Sequence, residues 1–112
     1  MHELSICRSI FTIVEEHAAG RPVEAVRLDV GYLRQVVPSS LQFCWEIVVR
    51  DTALDGVALE IRHIPAVIAC RICHHETAID APVFRCAGCQ SVETDVVSGD
   101  ELFITSLELI GI

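Results

Sequence analysis

Two short segments, Cys-Arg-Ile-Cys at residues 70–73 and Cys-Ala-Gly-Cys at residues 86–89, decide how part of this 112-residue chain folds. A Cys-x-x-Cys turn aims two thiolates at one point. Two such turns supply the four sulfurs that suit a tetrahedral zinc ion. The pattern therefore predicts a closed metal site with four ligands: Cys70, Cys73, Cys86 and Cys89.

This four-cysteine site is expected to be structural, because four protein ligands leave no open coordination position for hydrolytic chemistry. Two other interpretations stay open. The thiols could hold iron in a rubredoxin-like electron carrier, or they could cycle between dithiol and disulfide. His74 and His75 follow the first pair directly. They are either solvated loop residues or spare ligands that replace a thiolate when the pH changes.

The charge of the chain limits its partners. Sixteen acidic residues oppose eight arginines, no lysine is present, and the formal net charge is −8 at pH 7. Nucleic acid is therefore not expected as a partner, because phosphate contacts need clustered cations. The hydrophobic fraction of 52% is ample for a core, so an ordered protein is expected.

Neither membrane insertion nor export is indicated. The sequence has no apolar run of about 18 residues, and its start lacks the basic and apolar segments of a signal peptide. We therefore expect a cytoplasmic protein with reduced thiols, which favours metal binding over disulfides. A Gly-rich phosphate loop and a nucleophile with a placed base are both absent from the sequence, so we do not expect an enzyme.

Two helices are predicted outside the cysteine-rich region. Apolar residues recur at helical steps over residues 4–19, and Gly20 ends that pattern. A second helix is predicted from Pro38 to about Val49, with the two serines after the proline available as caps.

Alternating apolar and polar residues predict three strands, at residues 26–30, 59–61 and 102–109. Residues 67–99 hold both cysteine pairs among small and polar residues, so we expect an inserted module that a metal ion stabilises. The predicted fold is α/β, a small mixed sheet of about three strands with two helices plus an inserted zinc ribbon. The predicted domains are residues 1–66 with 100–112, and residues 67–99.

The amino-terminal Met1-His2-Glu3 offers a second set of metal donors. Met1 is expected to be retained, because methionine removal generally needs a small second residue and His2 is large. The Met1 amine and the His2 amide and imidazole nitrogens can close chelate rings around Ni(II) or Cu(II), and Glu3 adds a carboxylate. The pattern alone is weak, because exposed early histidines are common. Cys7 lies on the apolar stripe, which predicts a core residue.

Further motifs are spread along the whole chain. They are Met1-His2-Glu3-Leu4-Ser5, Gly31 before Pro38, Leu41-Gln42-Phe43 with Glu46, Asp55-Gly56, Leu59-Glu60-Ile61 up to Pro65, the first cysteine pair, Phe84-Arg85 before the second pair, Ser91, and Gly99-Asp100-Glu101-Leu102. In this combination the chain resembles the HypA/HybF family of hydrogenase nickel-incorporation proteins. It departs from the common pattern at Ala87, where many relatives carry proline.

The resemblance implies a nickel metallochaperone with two modules. It assigns nickel binding to Met1, His2 and Glu3, and zinc binding to the four cysteines of the two pairs. The implied ions are Ni(II) as cargo and Zn(II) as a structural ion. The implied partners are a HypB-type GTPase and the large subunit of [NiFe]-hydrogenase, with urease maturation also served by some members. The alternative is an acidic structural zinc-ribbon interaction module without nickel transfer.

Overall fold

The structure is a computed structural model in which residues 3–110 are described. Over these residues the chain forms two helices, six strands and one 3₁₀ turn. Their bounds are α1 Glu3–Ala18, β1 Val23–Gly31, the 3₁₀ turn Tyr32–Arg34, α2 Pro38–Val49, β2 Ala58–Ile64, β3 Ala66–Cys70, β4 Glu76–Ile79, β5 Thr94–Ser98 and β6 Leu102–Leu109. The strands form two three-stranded sheets, with the orders β2-β1-β6 and β4-β3-β5.

Both predicted helices and all three predicted strands are confirmed, each within a few residues of its expected bounds. The last strand, β6, pairs with β1, so it returns to the first sheet as expected. Neither of the two described helices is long and apolar enough to cross a membrane.

The predicted serine caps of α2 are wrong. The N-cap residue is Val37, in an extended conformation with φ −86° and ψ 115°, and no side chain caps the helix. Pro38 occupies the first helical position, where its fixed φ suits the helix and its missing N–H removes one unpaired donor. The serines therefore lie inside the first turn, two and three positions after the N-cap, and are too late to cap the helix.

The chain folds into two compact units, each defined by backbone segments that pack closely with one another. The first comprises the described parts of residues 1–29, 36–62 and 103–112. In this unit α1 packs against α2. The Trp45 indole N–H donates to the Val57 carbonyl at 2.9 Å, which joins α2 to the chain entering β2. The largest fully buried side chains of this unit include Val14, Val26, Leu28, Leu41 and Trp45.

The second unit comprises Val30–Gln35 and His63–Leu102, and it contains the cysteine pairs. Here β3 pairs antiparallel with β4 on one side and with β5 on the other. The sequence predicts loops in this region, whereas the structure has three short strands. They are only four or five residues long, and β4 and β5 contain no buried residue. Strands β4 and β5 therefore lack the apolar alternation that marks a strand with one buried face. Strand β3 does alternate buried and half-buried residues, but it is an apolar run of only five residues.

The 3₁₀ turn and its flanking residues are hydrogen-bonded to the rest of the second unit. The hydrogen bonds of this connection include the Gly31 N–H to the Glu101 carbonyl at 2.7 Å, the Leu33 N–H to the Gly99 carbonyl at 2.7 Å, the Tyr32 hydroxyl to the Asp80 carbonyl at 2.6 Å, and the Arg34 Nε to the Asp100 carbonyl at 2.6 Å. This pairing explains why six residues before α2 belong to the cysteine-rich unit.

Two glycines make the close approach in that connection possible. A Cβ at Gly31 would lie 2.1 Å from the Gly99 carbonyl oxygen, and a Cβ at Gly99 would lie 2.5 Å from the Ala66 Cα. Gly99 also has φ +108°, which other residues rarely adopt. Three backbone segments can therefore meet here only because neither glycine has a side chain.

Candidate metal centre

The four predicted cysteine ligands converge in the second unit. Their Sγ atoms all lie within 4.8 Å of one another. The Sγ–Sγ distance is 3.5 Å between Cys70 and Cys89 and 3.6 Å between Cys73 and Cys86. A tetrahedral zinc ion with Zn–S bonds of about 2.3 Å requires Sγ–Sγ separations of about 3.8 Å. The sulfur positions therefore fit a single tetrahedral ion.

The two Cys-x-x-Cys turns repeat one backbone design. The Cys70 carbonyl accepts a hydrogen bond from the His74 N–H at 3.1 Å, and the Cys86 carbonyl accepts one from the Gln90 N–H at 3.0 Å. In each turn, the amide of the first cysteine also donates to the carbonyl five residues later. His74 and Gln90 have positive φ angles of 64° and 68°. His74 therefore occupies the left-handed position that closes the first turn.

Backbone N–H groups donate to all four sulfurs, but not equally. Each first cysteine accepts two such bonds, Cys70 from Ile72 and Cys73, and Cys86 from Gly88 and Cys89. Each second cysteine accepts one, Cys73 from His75 and Cys89 from Ser91. The backbone therefore stabilises negative charge on the first sulfur of each turn more than on the second.

These hydrogen bonds separate the acidities of the metal-free thiols. The Cys73 N–H, opposed by desolvation and aided by the Ile72 N–H, lowers the pKa of Cys70 to about 6. The Ser91 N–H favours the Cys89 thiolate, but the Cys89 thiol donates to Cys70 and the other site sulfurs, and these hydrogen bonds, with desolvation, raise the pKa of Cys89 to about 12. A metal ion must therefore displace a proton from the second thiol to complete its tetrahedron.

Exposure follows the same division between first and second cysteines. The first cysteines, Cys70 and Cys86, are only 3% and 1% exposed, and we call them the inner cysteines. The second cysteines, Cys73 and Cys89, are exposed, and we call them the outer cysteines. Each turn therefore contributes one inner and one outer sulfur to the site.

Neither adjacent histidine belongs to the four-sulfur group. Both His74 and His75 are exposed. The His75 ring lies beside the second turn, with its Cγ 3.4 Å from where a Cβ of Gly88 would stand. The backbone N–H of His75 donates to a site sulfur, that of Cys73.

Sequence reasoning missed one residue that supports the site. The Thr77 hydroxyl oxygen accepts a hydrogen bond from the Ala87 N–H at 3.1 Å. A proline at position 87 could not donate this bond. The absence of proline at position 87 could have indicated such a residue, because it leaves an N–H in the second turn that needs an acceptor.

The predicted nickel ligands Met1 and His2 lie outside the described residues. Glu3 is the first residue of α1 and is partly exposed. One turn later, the fully buried Cys7 thiol donates to the Leu41 carbonyl at 3.4 Å, which confirms its predicted place in the core. Burial, with smaller contributions from Cys44 and Glu3, raises the pKa of Cys7 to about 12. The protonated Cys7 thiol is therefore a poor metal ligand.

The similarity to known proteins covers both units. The family model for HypA, described as hydrogenase/urease nickel incorporation metallochaperones, matches residues 1–109. The chain belongs to the HypA family. This membership confirms the resemblance seen in the sequence.

Curated HypA proteins match nearly the whole chain. The hydrogenase maturation factor HypA of a Nostoc species is 43% identical over 109 residues, covering 97% of this chain and 96% of the relative. The HypA of Geotalea uraniireducens is also 43% identical, covering 97% and 99% of the two chains. Because the relatives are matched almost end to end, the family similarity extends beyond the cysteine motif.

A solved HypA structure has the same fold. The solution structure of the Ni metallochaperone HypA from Helicobacter pylori covers 100% of both chains with a TM-score of 0.68 and 25% identity. A second solution structure, of a HypA protein, has a TM-score of 0.71 and covers 98% of this chain and 97% of that one. These similarities confirm the predicted fold class of two helices with small sheets and a four-cysteine module.

Proposed function

We propose that this HypA-family chain binds Ni(II) at Met1, His2 and Glu3 and delivers it to the large subunit of [NiFe]-hydrogenase. In this proposal the chain catalyses no reaction, and the four cysteines hold Zn(II) as a structural ion. The observation that carries the proposal is the family match over residues 1–109, which includes the three amino-terminal residues.

The zinc assignment is supported by the chemistry of the four-sulfur group. Four thiolates with edges near 3.5 Å suit a d¹⁰ ion that accepts tetrahedral geometry without preference from its d electrons. The backbone N–H donors offset part of the negative charge that four thiolates bring to one ion. A purified protein that is colourless and free of iron would support zinc over the rubredoxin-like interpretation.

Release of nickel suits a terminal donor set. Nickel lies high in the affinity order of divalent metals, so tight binding is easily reached and transfer is the harder requirement. Protons compete for an amine and an imidazole, and ligands of an acceptor protein can replace them. Glu3 begins α1, so the proposed ion lies near the positive end of a helix dipole, which disfavours a cation. The Glu3 carboxylate offsets part of this repulsion.

The proposed partners are those of hydrogenase maturation. We propose that the chain acts in the cytoplasm with a HypB-type GTPase and the hydrogenase large subunit, and that urease maturation proteins are a further destination for its nickel. A net charge of −8 favours docking on basic protein surfaces.

Nickel titration of an untagged chain that starts at Met1 tests the proposal. We expect one Ni(II) per chain, and we expect the site to be lost in His2→Ala and after residues are added before Met1. The matched control is His17→Ala, which removes an exposed histidine at the other end of the same helix. Zinc content should be unchanged in all variants, because the four cysteines are untouched.

A His2→Ala protein that kept its nickel affinity would contradict the amino-terminal site. Zinc-loaded protein that bound no nickel at all would instead support the alternative function, an acidic zinc-ribbon interaction module. Isothermal titration calorimetry with metal analysis of the same samples separates these outcomes.

A further inference from the structure

The division into inner and outer cysteines has a chemical consequence that four-sulfur coordination alone does not imply. The inner cysteines, Cys70 and Cys86, are almost fully buried, whereas the outer cysteines, Cys73 and Cys89, face solvent. A reagent from solution can therefore reach one sulfur in each turn before it can reach the other.

The hydrogen bonds to sulfur favour the same order. Each inner sulfur shares its lone pairs with two backbone N–H donors, and each outer sulfur with one. When zinc holds all four sulfurs as thiolates, the thiolate with fewer donors keeps more electron density available for attack on an electrophile. Exposure and hydrogen bonding are independent observations, and both identify the outer pair as the more reactive one.

We propose that Cys73 and Cys89 are modification sites for small uncharged electrophiles and peroxides, and that peroxide oxidation starting there forms disulfides between the two turns and releases the metal ion. The inference rests on the proposed zinc site. It adds a redox-sensitive reaction to that site, which the structural role of zinc does not require.

The disulfide pairing follows from the distances between sulfurs. Each outer sulfur lies close to the inner sulfur of the other turn, at 3.5 Å for Cys89 and Cys70 and at 3.6 Å for Cys73 and Cys86. A disulfide needs the two sulfurs to approach to roughly 2.0 Å. The expected products are therefore Cys70–Cys89 and Cys73–Cys86.

Each disulfide forms in two balanced steps. An outer thiolate attacks one oxygen of hydrogen peroxide, which forms an S–O bond, breaks the O–O bond and releases hydroxide. The inner thiolate of the other turn then attacks the sulfenic sulfur, which forms the S–S bond and releases a second hydroxide. Two thiolates lose two electrons and one peroxide gains them. The ion loses two ligands and can dissociate.

The charge around the site selects the reagent. Within residues 67–99 the acidic side chains outnumber the arginines, and four thiolates around one divalent ion add a net charge of −2. Anionic oxidants such as glutathione disulfide are repelled, whereas hydrogen peroxide and N-ethylmaleimide carry no charge. The chain has no lysine, so maleimide side reactions with lysine amines are excluded.

Peptide mapping of the zinc-loaded full-length chain tests the order of reaction. With less than one equivalent of N-ethylmaleimide, adducts at Cys73 and Cys89 should exceed those at Cys70 and Cys86 by roughly tenfold. The buried Cys7 serves as the internal reference for an unreactive thiol. The variant Cys44→Ser removes the remaining partly exposed thiol and should give the same order. Equal adducts on all four site cysteines, or faster labelling of the inner pair, would overturn the proposal.

Cleavage after arginine tests whether the disulfides join the two turns, and fragmentation of the linked peptides between Cys86 and Cys89 assigns the partner of each. Cleavage places Cys70 in peptide 63–71, Cys73 in peptide 72–85, and the second pair in peptide 86–112. After peroxide treatment, peptide 86–112 should be linked to each of the other two, and zinc release should rise in parallel. A link between peptides 63–71 and 72–85 would show pairing within a turn and would contradict the inference.

Metal analysis before treatment distinguishes a wrong zinc assignment from a wrong order or pairing of the cysteine reactions. Protein that holds no zinc in the four-cysteine site would refute the proposed zinc assignment. Protein that holds zinc but reacts in the wrong order or with the wrong pairing would refute only this inference.

Discussion

At the scale of single residues, the positive φ angles of His74 and Gln90 show what the Cys-x-x-Cys turns demand of the chain. Both residues follow the second cysteine of a pair, and both N–H groups close the turn on the carbonyl of the first. A left-handed backbone at a residue with a side chain costs about 1 to 2 kcal/mol. The turn therefore uses a strained position to aim two sulfurs at one ion.

The variant His74→Gly should stabilise the zinc-loaded protein. Glycine relieves the strain at φ 64° but has more freedom in the unfolded chain, so we expect a net gain of about 0.5 to 1 kcal/mol. Thermal unfolding of zinc-loaded protein measures the gain. The matched control is His75→Gly, which should gain nothing, because the backbone of His75 itself is not left-handed.

The same pair of variants tests whether a histidine ever ligates zinc near neutral pH. If His74 were a ligand, His74→Gly would weaken zinc binding in competition with a chelator. We expect no loss of affinity, because the four-sulfur group contains no histidine.

At the scale of elements, the end of β1 shows how backbone segments can be forced together. Gly31 has an ordinary extended backbone, with φ −77°, so only its missing side chain matters. A Cβ there would lie 2.1 Å from a backbone oxygen that cannot rotate away. Gly20 provides the opposite case, because its φ is +84° but a Cβ there would meet nothing within 4 Å.

These two glycines predict a difference between matched variants. Gly31→Ala should lower the free energy of unfolding by about 2 to 4 kcal/mol, because the added methyl group requires backbone movement. Gly20→Ala should cost only about 1 kcal/mol, the strain of its left-handed backbone. Urea unfolding of both variants provides the comparison. Equal losses would mean that the close approach at Gly31 relaxes easily.

How well each element could be predicted depends on how its residues are buried. The helices, β1 and β2 carry recurring apolar residues, because each buries apolar side chains in the core of the first unit. Strand β6 buries none, but half-buried and exposed residues alternate along most of it. Strands β4 and β5 bury no residue, so their sequences carry no such period. Spacing alone predicted the convergence of the four cysteines, because the chain reversal within each Cys-x-x-Cys turn is local. The attachment of residues 30–35 could not be predicted, since its hydrogen bonds use backbone carbonyls.

At the scale of the whole molecule, each compact unit carries its own aromatic reporter. The only tryptophan, Trp45, is 2% exposed in the first unit. The only tyrosine, Tyr32, donates its hydroxyl to Asp80 in the second. The first unit has an extensive apolar core, whereas the second relies on few buried side chains and the four-sulfur site. The two units should therefore respond differently to loss of the metal.

Removal of zinc with a strong chelator should disorder the second unit and spare the first. Structural zinc contributes apparent binding free energies of about 10 kcal/mol or more, which a unit with so small a core cannot replace. The ring resonances of isotope-labelled Tyr32 should collapse towards random-coil positions. The Trp45 emission maximum should stay that of a buried indole. Cys70→Ser should reproduce the effect without a chelator. A red shift of the Trp45 emission maximum on zinc removal would contradict independent stabilisation of the two units.

The hydrogen bonds of the 3₁₀ turn also set a rule for dissecting this molecule. A recombinant fragment of residues 63–102 would hold every site cysteine. The carbonyls of Asp80, Gly99 and Glu101 would nevertheless lose their protein donors and would be left to hydrogen-bond with water. Those donors lie within residues 30–35. Along the chain, α2 and most of β2 stand between these residues and the fragment. A minimal metal-binding protein would therefore have to include residues 30–35 as well. Its boundaries follow from which segments are hydrogen-bonded to one another, and a single continuous stretch of sequence is not enough.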